Sequence, residues 1–222
     1  MLQRLNQLGL NPEQILEGLI RTTLLLVMAP SGVGKGSVIK SILTLAPESF
    51  YLSVSATTRA PRSKNGITEV KGEHYHFMSI EEFKECEEAG EFTETAQFGG
   101  NWYGTLKSEL LKADGKIVIN ELEVQGAEKT MSYFPGRKII LVVLFPPDEA
   151  VHLQRLESKG TENKKQLLAR FASRYDELCR GLALGAEPIC NQTGQTEVTA
   201  KKVIDYTTAY LQVLCESDKR KI

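Results

Sequence analysis

Residues 28–37 read MAPSGVGKGS, a set of residue types suited to wrapping a phosphate chain. Glycines at Gly32, Gly34 and Gly36 can take positive φ, which lets successive backbone N–H groups turn inward. Lys35 brings a cation for terminal phosphates, Ser31 and Ser37 offer hydroxyls, and a helix starting here would add its positive end. The usual phosphate-loop pattern is Gly, four residues, Gly-Lys, then Ser or Thr. Here Ala29 takes the first place and Gly36 separates Lys35 from Ser37. Losing the first glycine costs little if φ at Ala29 is negative. The competing reading is a plain glycine-rich turn. A second group, SVSATTRAPR (53–62), sets Ser55, Arg59 and Arg62 close together. Two arginines three apart offer planar, multidentate donors for a phosphate monoester, although an isolated pair would equally suit a solvated basic turn.

The elements that must hold these residues can be read from apolar patterning. LLLVM (24–28) is a short continuous apolar run, as expected of a buried strand, and VIKSILTL places Val38, Ile39, Ile42 and Leu43 at helical spacing. Strand, glycine-rich loop and helix in that order are the context a phosphate loop needs, which decides against the plain turn. KIVIN (116–120) and KIILVVLF (138–145) are further apolar runs followed by helical sequence. Parallel strands covered on both faces, in a doubly wound α/β core, are expected from them. Asn11-Pro12 suits the start of a short amphipathic helix ahead of this core. Between the runs, YLSVS, HYHF and EFTETAQF alternate like strands, and Ser79 with Glu82 forms a capping box for a helix ending at Gly90. An inserted strand-rich unit is expected there. A second insertion starts at Lys159-Gly160-Thr161 and is charged and helical to about Gly185, before a short strand at PIC (188–190) and a closing helix.

Composition sets limits on function. The 222 residues, 41% hydrophobic and 25% charged, suffice for one globular unit with insertions. Lys plus Arg number 27 and Asp plus Glu 28, so no overall positive field exists to hold nucleic acid or an anionic membrane. Cys86, Cys179, Cys190 and Cys215 show no CxxC spacing and read as reduced thiols, and polar residues interrupt any N-terminal apolar stretch. A cytoplasmic protein is expected. His74, His76 and His152 form no metal site: the first two flank Tyr75 on one strand face without a third ligand, and His152 belongs to a core helix.

Taken in order, APSGVGKGS, SVSATTRAPR, EVKGEHYHF, EFTETAQFGGNWYGT, ELEVQGA and RLESKGTE followed by Arg170 resemble the guanylate kinase family, from about residue 22 to about residue 191. The resemblance implies a P-loop NTPase core with a parallel sheet flanked by helices, an inserted GMP-binding subdomain and a helical lid. On this sequence the core would span residues 22–50, 106–158 and 187–222, the GMP-binding subdomain 51–105 and the lid 159–186, with 1–21 as an N-terminal extension. It implies ATP-dependent phosphorylation of GMP and dGMP with Mg2+, and ATP contacts from Ala29, Pro30, Ser31, Gly32, Val33, Gly34, Lys35, Gly36, Ser37 and, beside the adenine, Asn191.

Guanine presents a ring N–H and an amine beside a carbonyl, so a carboxylate with a hydroxyl donor is a fitting reader. By resemblance Glu94 accepts from the ring N–H and amine, Ser55 and Thr105 bond the carbonyl, and Glu123 assists at the amine edge. Arg59, Arg62, Tyr75 and Tyr103 would hold the GMP phosphate, although isolated tyrosines more commonly pack. Glu121 at a strand end would hold magnesium through water, with Ser37 as partner; an ion pair is the alternative for Glu121. Lys35, Arg59, Arg155 and Arg170 would be the catalytic cations. Three departures from the family stand out: Ala29, Lys159 where arginine is usual, and SKNGITEVKG, longer than the family's turn and expected to bulge on the surface. Two rivals are a guanylate kinase-like binding module without chemistry, against which Gly34, Lys35, Arg59, Glu94 and Glu121 are all present, and a kinase of the same architecture for another acceptor, against which Glu94 with Thr105 argues for guanine. A monomer and a homo-oligomer both fit the sequence.

Overall fold

The structure is a computed structural model that describes residues 23–64, 66–112, 115–158 and 164–221. The helix expected at Asn11-Pro12 and the segment Lys159-Gly160-Thr161 lie outside the described residues. Strand β1 (Leu24–Met28) is buried along its whole length. It sits at the centre of a five-stranded parallel sheet, between β9 (Ile117–Leu122) and β10 (Ile139–Phe145), with β2 (Phe50–Leu52) and β11 (Glu187–Cys190) at the edges. Side chains alternate across a strand, so Leu25 and Val27 face one side and Leu24, Leu26 and Met28 the other. The first side packs against α1 (Lys35–Leu45) through Val38, Ile39 and Ile42, and against α7 (Thr196–Lys221) through Ala200, Val203 and Leu211. On the opposite side Leu110 of α3 (Lys107–Leu111) and Val124 and Ala127 of α4 (Val124–Tyr133) complete a second core. Both faces of the sheet are therefore apolar, which is why its strands read as unbroken hydrophobic runs. Each fully buried leucine contributes about 1.5–3 kcal/mol.

From β1 the chain passes to β2 and β9 on one side, then to β10 and β11 on the other. Strand order thus reverses at the carboxyl end of β1, where open parallel sheets form their ligand crevice.

The inserted unit is a four-stranded sheet in the order β6 (His76–Phe77), β3 (Ala56–Thr57), β8 (Asn101–Leu106) and β7 (Phe92–Phe98). Helix α2 (Ile80–Glu88) begins with the expected capping box at Ser79 and Glu82. It buries Phe83, whose ring stacks on Phe92 with centroids 4.5 Å apart. Gly104 is required beneath this stack, because a Cβ there would fall 2.8 Å from the Phe92 ring.

Four expectations need correction. Tyr51 and Leu52 belong to β2, paired with Val118 and Ile119 of the main sheet, so the inserted unit begins after them rather than at residue 51. Of the long segment after Arg62, Ser63, Gly66 and Thr68 are exposed, yet β4 (Ser63–Lys64) and β5 (Ile67–Thr68) pair antiparallel rather than forming a simple bulge. His74 lies in a turn, where its Nδ1 accepts from the Val70 N–H, so it does not share a strand face with His76. Finally, α6 (Lys164–Ala183) is one helix whose C-terminal part belongs to the core: Leu178 joins the second cluster, and a Cβ on Gly181 would stand 3.2 Å from Val143. A lid ending at residue 186 is therefore too long. Helix α5 (Glu149–Ser158) precedes α6 and packs beside it.

Candidate functional site

The loop between β1 and α1 borders a cleft of about 450 Å3, whose far wall carries Glu121 and Glu123 from the end of β9 and Arg155 and Arg170 from α5 and α6. Gly32 and Gly34 take φ of 84° and 96°, as the sequence suggested. Neither tolerates a side chain: a Cβ would fall 2.8 Å from Leu156 Cδ2 at Gly32, and 2.9 Å from Asn191 Nδ2 at Gly34. Gly36, expected to use positive φ too, instead sits in the first turn of α1 with a right-handed backbone. No described side chain caps α1, so its first N–H groups face the cleft as donors for an anion. Ala29 is buried in the first core cluster.

Lys35 Nζ donates to the Leu122 carbonyl at 2.7 Å and stands 3.9 Å from Glu121 Oε1, so the cation is held at the end of β9. Val33 and Asn191 do not line the cleft. Val33 is fully buried, and its carbonyl accepts from Asn191 Nδ2 (2.8 Å) and Arg155 Nη1 (3.1 Å). Arg155 Nη2 also donates to the Asn191 carbonyl at 3.0 Å, so this arginine braces the loop while lining the cleft with positive charge. Arg170 Nη1 donates to Ser31 Oγ at 2.7 Å, and its guanidinium lies 4.6 Å over the ring of Phe98 at the end of β7. Core loop, α6 and inserted sheet thus meet at one arginine.

The inserted sheet gathers the second group. Arg59 is 7% exposed and makes a two-pronged bond to Glu69, Nη1 to Oε2 at 2.8 Å and Nη2 to Oε1 at 2.9 Å. Its guanidinium lies 5.2 Å over the Tyr75 ring, which meets Tyr103 edge-on at 6.1 Å. The hydrogen bond from Arg59 holds Glu69 down to about 2, and burial raises the Tyr75 hydroxyl above its ordinary value. Arg62 is exposed and donates its backbone N–H to Glu69 at 2.7 Å.

Further along the sheet Thr105, 1% exposed, donates its hydroxyl to Glu94 Oε1 at 2.9 Å. The register that pairs Ala56 with Gly104 sets Ser55 opposite Thr105, so Ser55, Thr105 and Glu94 follow one another across the strands. Burial raises Glu94 above the ordinary carboxylate range, with the Thr105 hydrogen bond pulling the other way. A Cβ on Gly126 would stand 3.5 Å from Glu94 Cγ. Glu123, which lines the cleft, stands at the N-cap position of α4 three residues before Gly126, so Glu94 lies one helical turn from the phosphate-loop cleft.

Three further residues were not picked out as functional from sequence. Glu69 is an acid in a loop whose partner only the fold reveals. His152 is fully buried and places Nε2 2.7 Å from the Ser31 carbonyl. Glu109, 1% exposed, binds Tyr51, the Val54 N–H, His76 and Lys112, tying the edge of the main sheet to the inserted one. Burial would raise its carboxyl, but those donors, Lys112 and Tyr51 foremost, hold it down to about 2. Glu121 and Ser37 supply oxygen donors at the cleft, and among the described residues no group of three or more His, Cys, Asp or Glu could cage a metal. No described helix is long and apolar enough to cross a membrane.

A family profile described as Guanylate kinase matches residues 21–180. Among curated relatives, "Guanylate kinase" of Thermosynechococcus vestitus is 40% identical over 157 residues, 70% of this chain and 78% of that one. "Guanylate kinase" of Idiomarina loihiensis is 39% identical over 158 residues, 70% and 72% of the two chains. The fold is similar to the crystal structure of guanylate kinase from Anaplasma phagocytophilum, with TM-score 0.61 and 23% identity, covering 89% of this chain and 91% of that one.

Proposed function

The chain belongs to the guanylate kinase family, and from that premise we propose that it transfers the terminal phosphoryl group of ATP to GMP, and to dGMP, releasing ADP and the diphosphate. The observation that carries the reading is the Glu94–Thr105 pair one helical turn from the phosphate-loop cleft. A carboxylate oxygen already accepting from Thr105 keeps a second oxygen for guanine's ring N–H and amine. Ser55 serves the guanine carbonyl, joined by Thr105 when its single hydroxyl proton turns from Glu94 to the base, and Glu123 assists at the amine. Adenine reverses this donor pattern, so the same pocket would set an acceptor against an acceptor at one edge.

In the proposed reaction an oxygen of the GMP phosphate bonds to the γ-phosphorus of ATP while the bond from that phosphorus to the ADP oxygen breaks. No side chain becomes covalently attached. Arg59, Arg62, Tyr75 and Tyr103 hold the acceptor phosphate. The loop from Ala29 to Ser37 cradles the donor, and Lys35, Arg155 and Arg170 offset charge on the migrating group. Arg170 is suited to this because its contacts with Ser31 and Phe98 bring it to the loop and the inserted sheet together. Ser37 and Glu121 present hard oxygen donors of the kind magnesium takes. Magnesium needs few protein ligands when phosphates and water complete its shell, so the absence of a cage among the described residues fits. When bound it would neutralise phosphate charge. Four unpaired cysteines agree with a cytoplasmic location.

Product analysis tests the reading. ATP, GMP and magnesium should yield ADP and GDP in equal amounts, and a chelator should stop turnover; ADP without GDP would defeat it.

A further inference from the structure

We infer that His152 is a positioning residue of the phosphate loop, setting the direction of the Ser31–Gly32 peptide so that its N–H is presented to the nucleotide phosphates. The inference rests on the kinase reading for its nucleotide. Nε2 of His152 lies 2.7 Å from the Ser31 carbonyl oxygen. That oxygen can only accept, so Nε2 carries the proton and Nδ1 is the bare nitrogen. Nδ1 is buried without a hydrogen-bond partner. Around the ring stand apolar groups: Phe171 is 5.7 Å away between centroids, and Leu156 lies under the same loop. A fully buried imidazole with one nitrogen unsatisfied is costly where a leucine would fit. The one bond it makes is to the backbone of the phosphate loop.

What that bond does follows from peptide geometry. The chain has no cis peptides among the described residues, so each carbonyl and the N–H that follows it point in opposite directions. Holding the Ser31 carbonyl against α5 turns the Gly32 N–H away from the buried His152, toward the open side of the loop. The Val33 carbonyl is held in the same manner by Arg155 and Asn191, which turns the Gly34 N–H likewise. Two alternate peptides are thereby pinned by their oxygens, which leaves N–H groups for an anion. Without the donor at residue 152, the Ser31 carbonyl would be buried and unsatisfied, and rotation of that peptide would bring an oxygen toward the phosphates.

The test compares H152L, which keeps the apolar volume, with H152Q, whose amide can still donate. ADP binding by calorimetry and KM for ATP and GMP are measured on each and on the natural protein. H152L should weaken ADP binding and raise KM for ATP about tenfold, with KM for GMP changed less than about twofold, and H152Q should recover most of the loss. Unchanged ADP affinity in H152L, equal increases in both KM values, or no recovery in H152Q would overturn the inference. If H152L does not fold, H152Q against H152N, whose amide stops short of the carbonyl, decides the same question. Failure of the natural protein to phosphorylate GMP would defeat the kinase reading, while ADP binding would still judge His152.

Discussion

Replacing Glu69 with glutamine isolates the group that orients Arg59. The carboxylate accepts three donors: Arg59 Nη1 at 2.8 Å, Arg59 Nη2 at 2.9 Å and the Arg62 N–H at 2.7 Å. A glutamine with its oxygen where Oε2 lies keeps two of these and turns an NH2 group against Nη2. One charge-assisted bond is lost, about 1.5–3 kcal/mol, and the charge opposite a buried guanidinium goes with it. The Glu69 side chain is 22% exposed, so water screens part of the charge effect. The net expectation for E69Q is a loss of about 2 kcal/mol of stability at pH 7, with KM for GMP raised about tenfold and KM for ATP unchanged. The pH dependence has a definite sign. Glu69 is held at about 2 against an ordinary 4.5, so its contribution is complete above pH 4.5 and is lost as pH falls through 2. Urea unfolding should therefore show a gap between natural protein and variant that is largest at pH 7 and falls below half at pH 3. A gap of equal size at both pH values, or unchanged KM for GMP, would refute the reasoning.

The remaining predictions concern separate groups. Lys35→Ala should lower kcat about 10^3-fold while GMP affinity, measured by calorimetry, stays within about twofold, because the nucleotides occupy different sites; parallel loss of both would contradict this. Glu94→Gln sets a donor against guanine's donors and should reduce kcat/KM for GMP about 10^2-fold, without a matching loss in any residual AMP turnover. Glu109→Gln breaks a buried ionic network and should cost about 3–5 kcal/mol, a melting temperature lower by roughly 10 °C. Because Glu109 is held near 2, that difference should shrink as pH falls below 4.5; a variant melting within 2 °C of the natural protein at pH 7 would count against the network.

Local signals carried well from sequence to fold. LLLVM became β1, the Gly34-Lys35 step became the start of α1, and Ser79 with Glu82 formed the capping box. Each depends on neighbours within a few residues, where periodicity and φ preference act. Pairings across long separations were not legible. YLSVS does not form one strand of the inserted sheet: Tyr51 and Leu52 join the main sheet, because Tyr51 finds Val118 across 67 residues, and the strand of the inserted sheet starts only at Ala56. Glu69, His152 and Glu109 acquire meaning only from partners that the fold brings to them. Gly36 shows a converse limit: its type permits positive φ, but the helix takes it in. Val33 and Asn191 stand where the loop motif or the family resemblance expects ligand contacts, yet they support the loop from behind.

The central claim is guanine-specific phosphoryl transfer, and it is tested most directly by following ADP formation from ATP and magnesium with GMP, AMP, CMP and UMP offered in parallel. The account predicts strong turnover with GMP and little with the other three. Turnover with none of the four despite measurable GMP binding, or equal turnover with AMP, would contradict it.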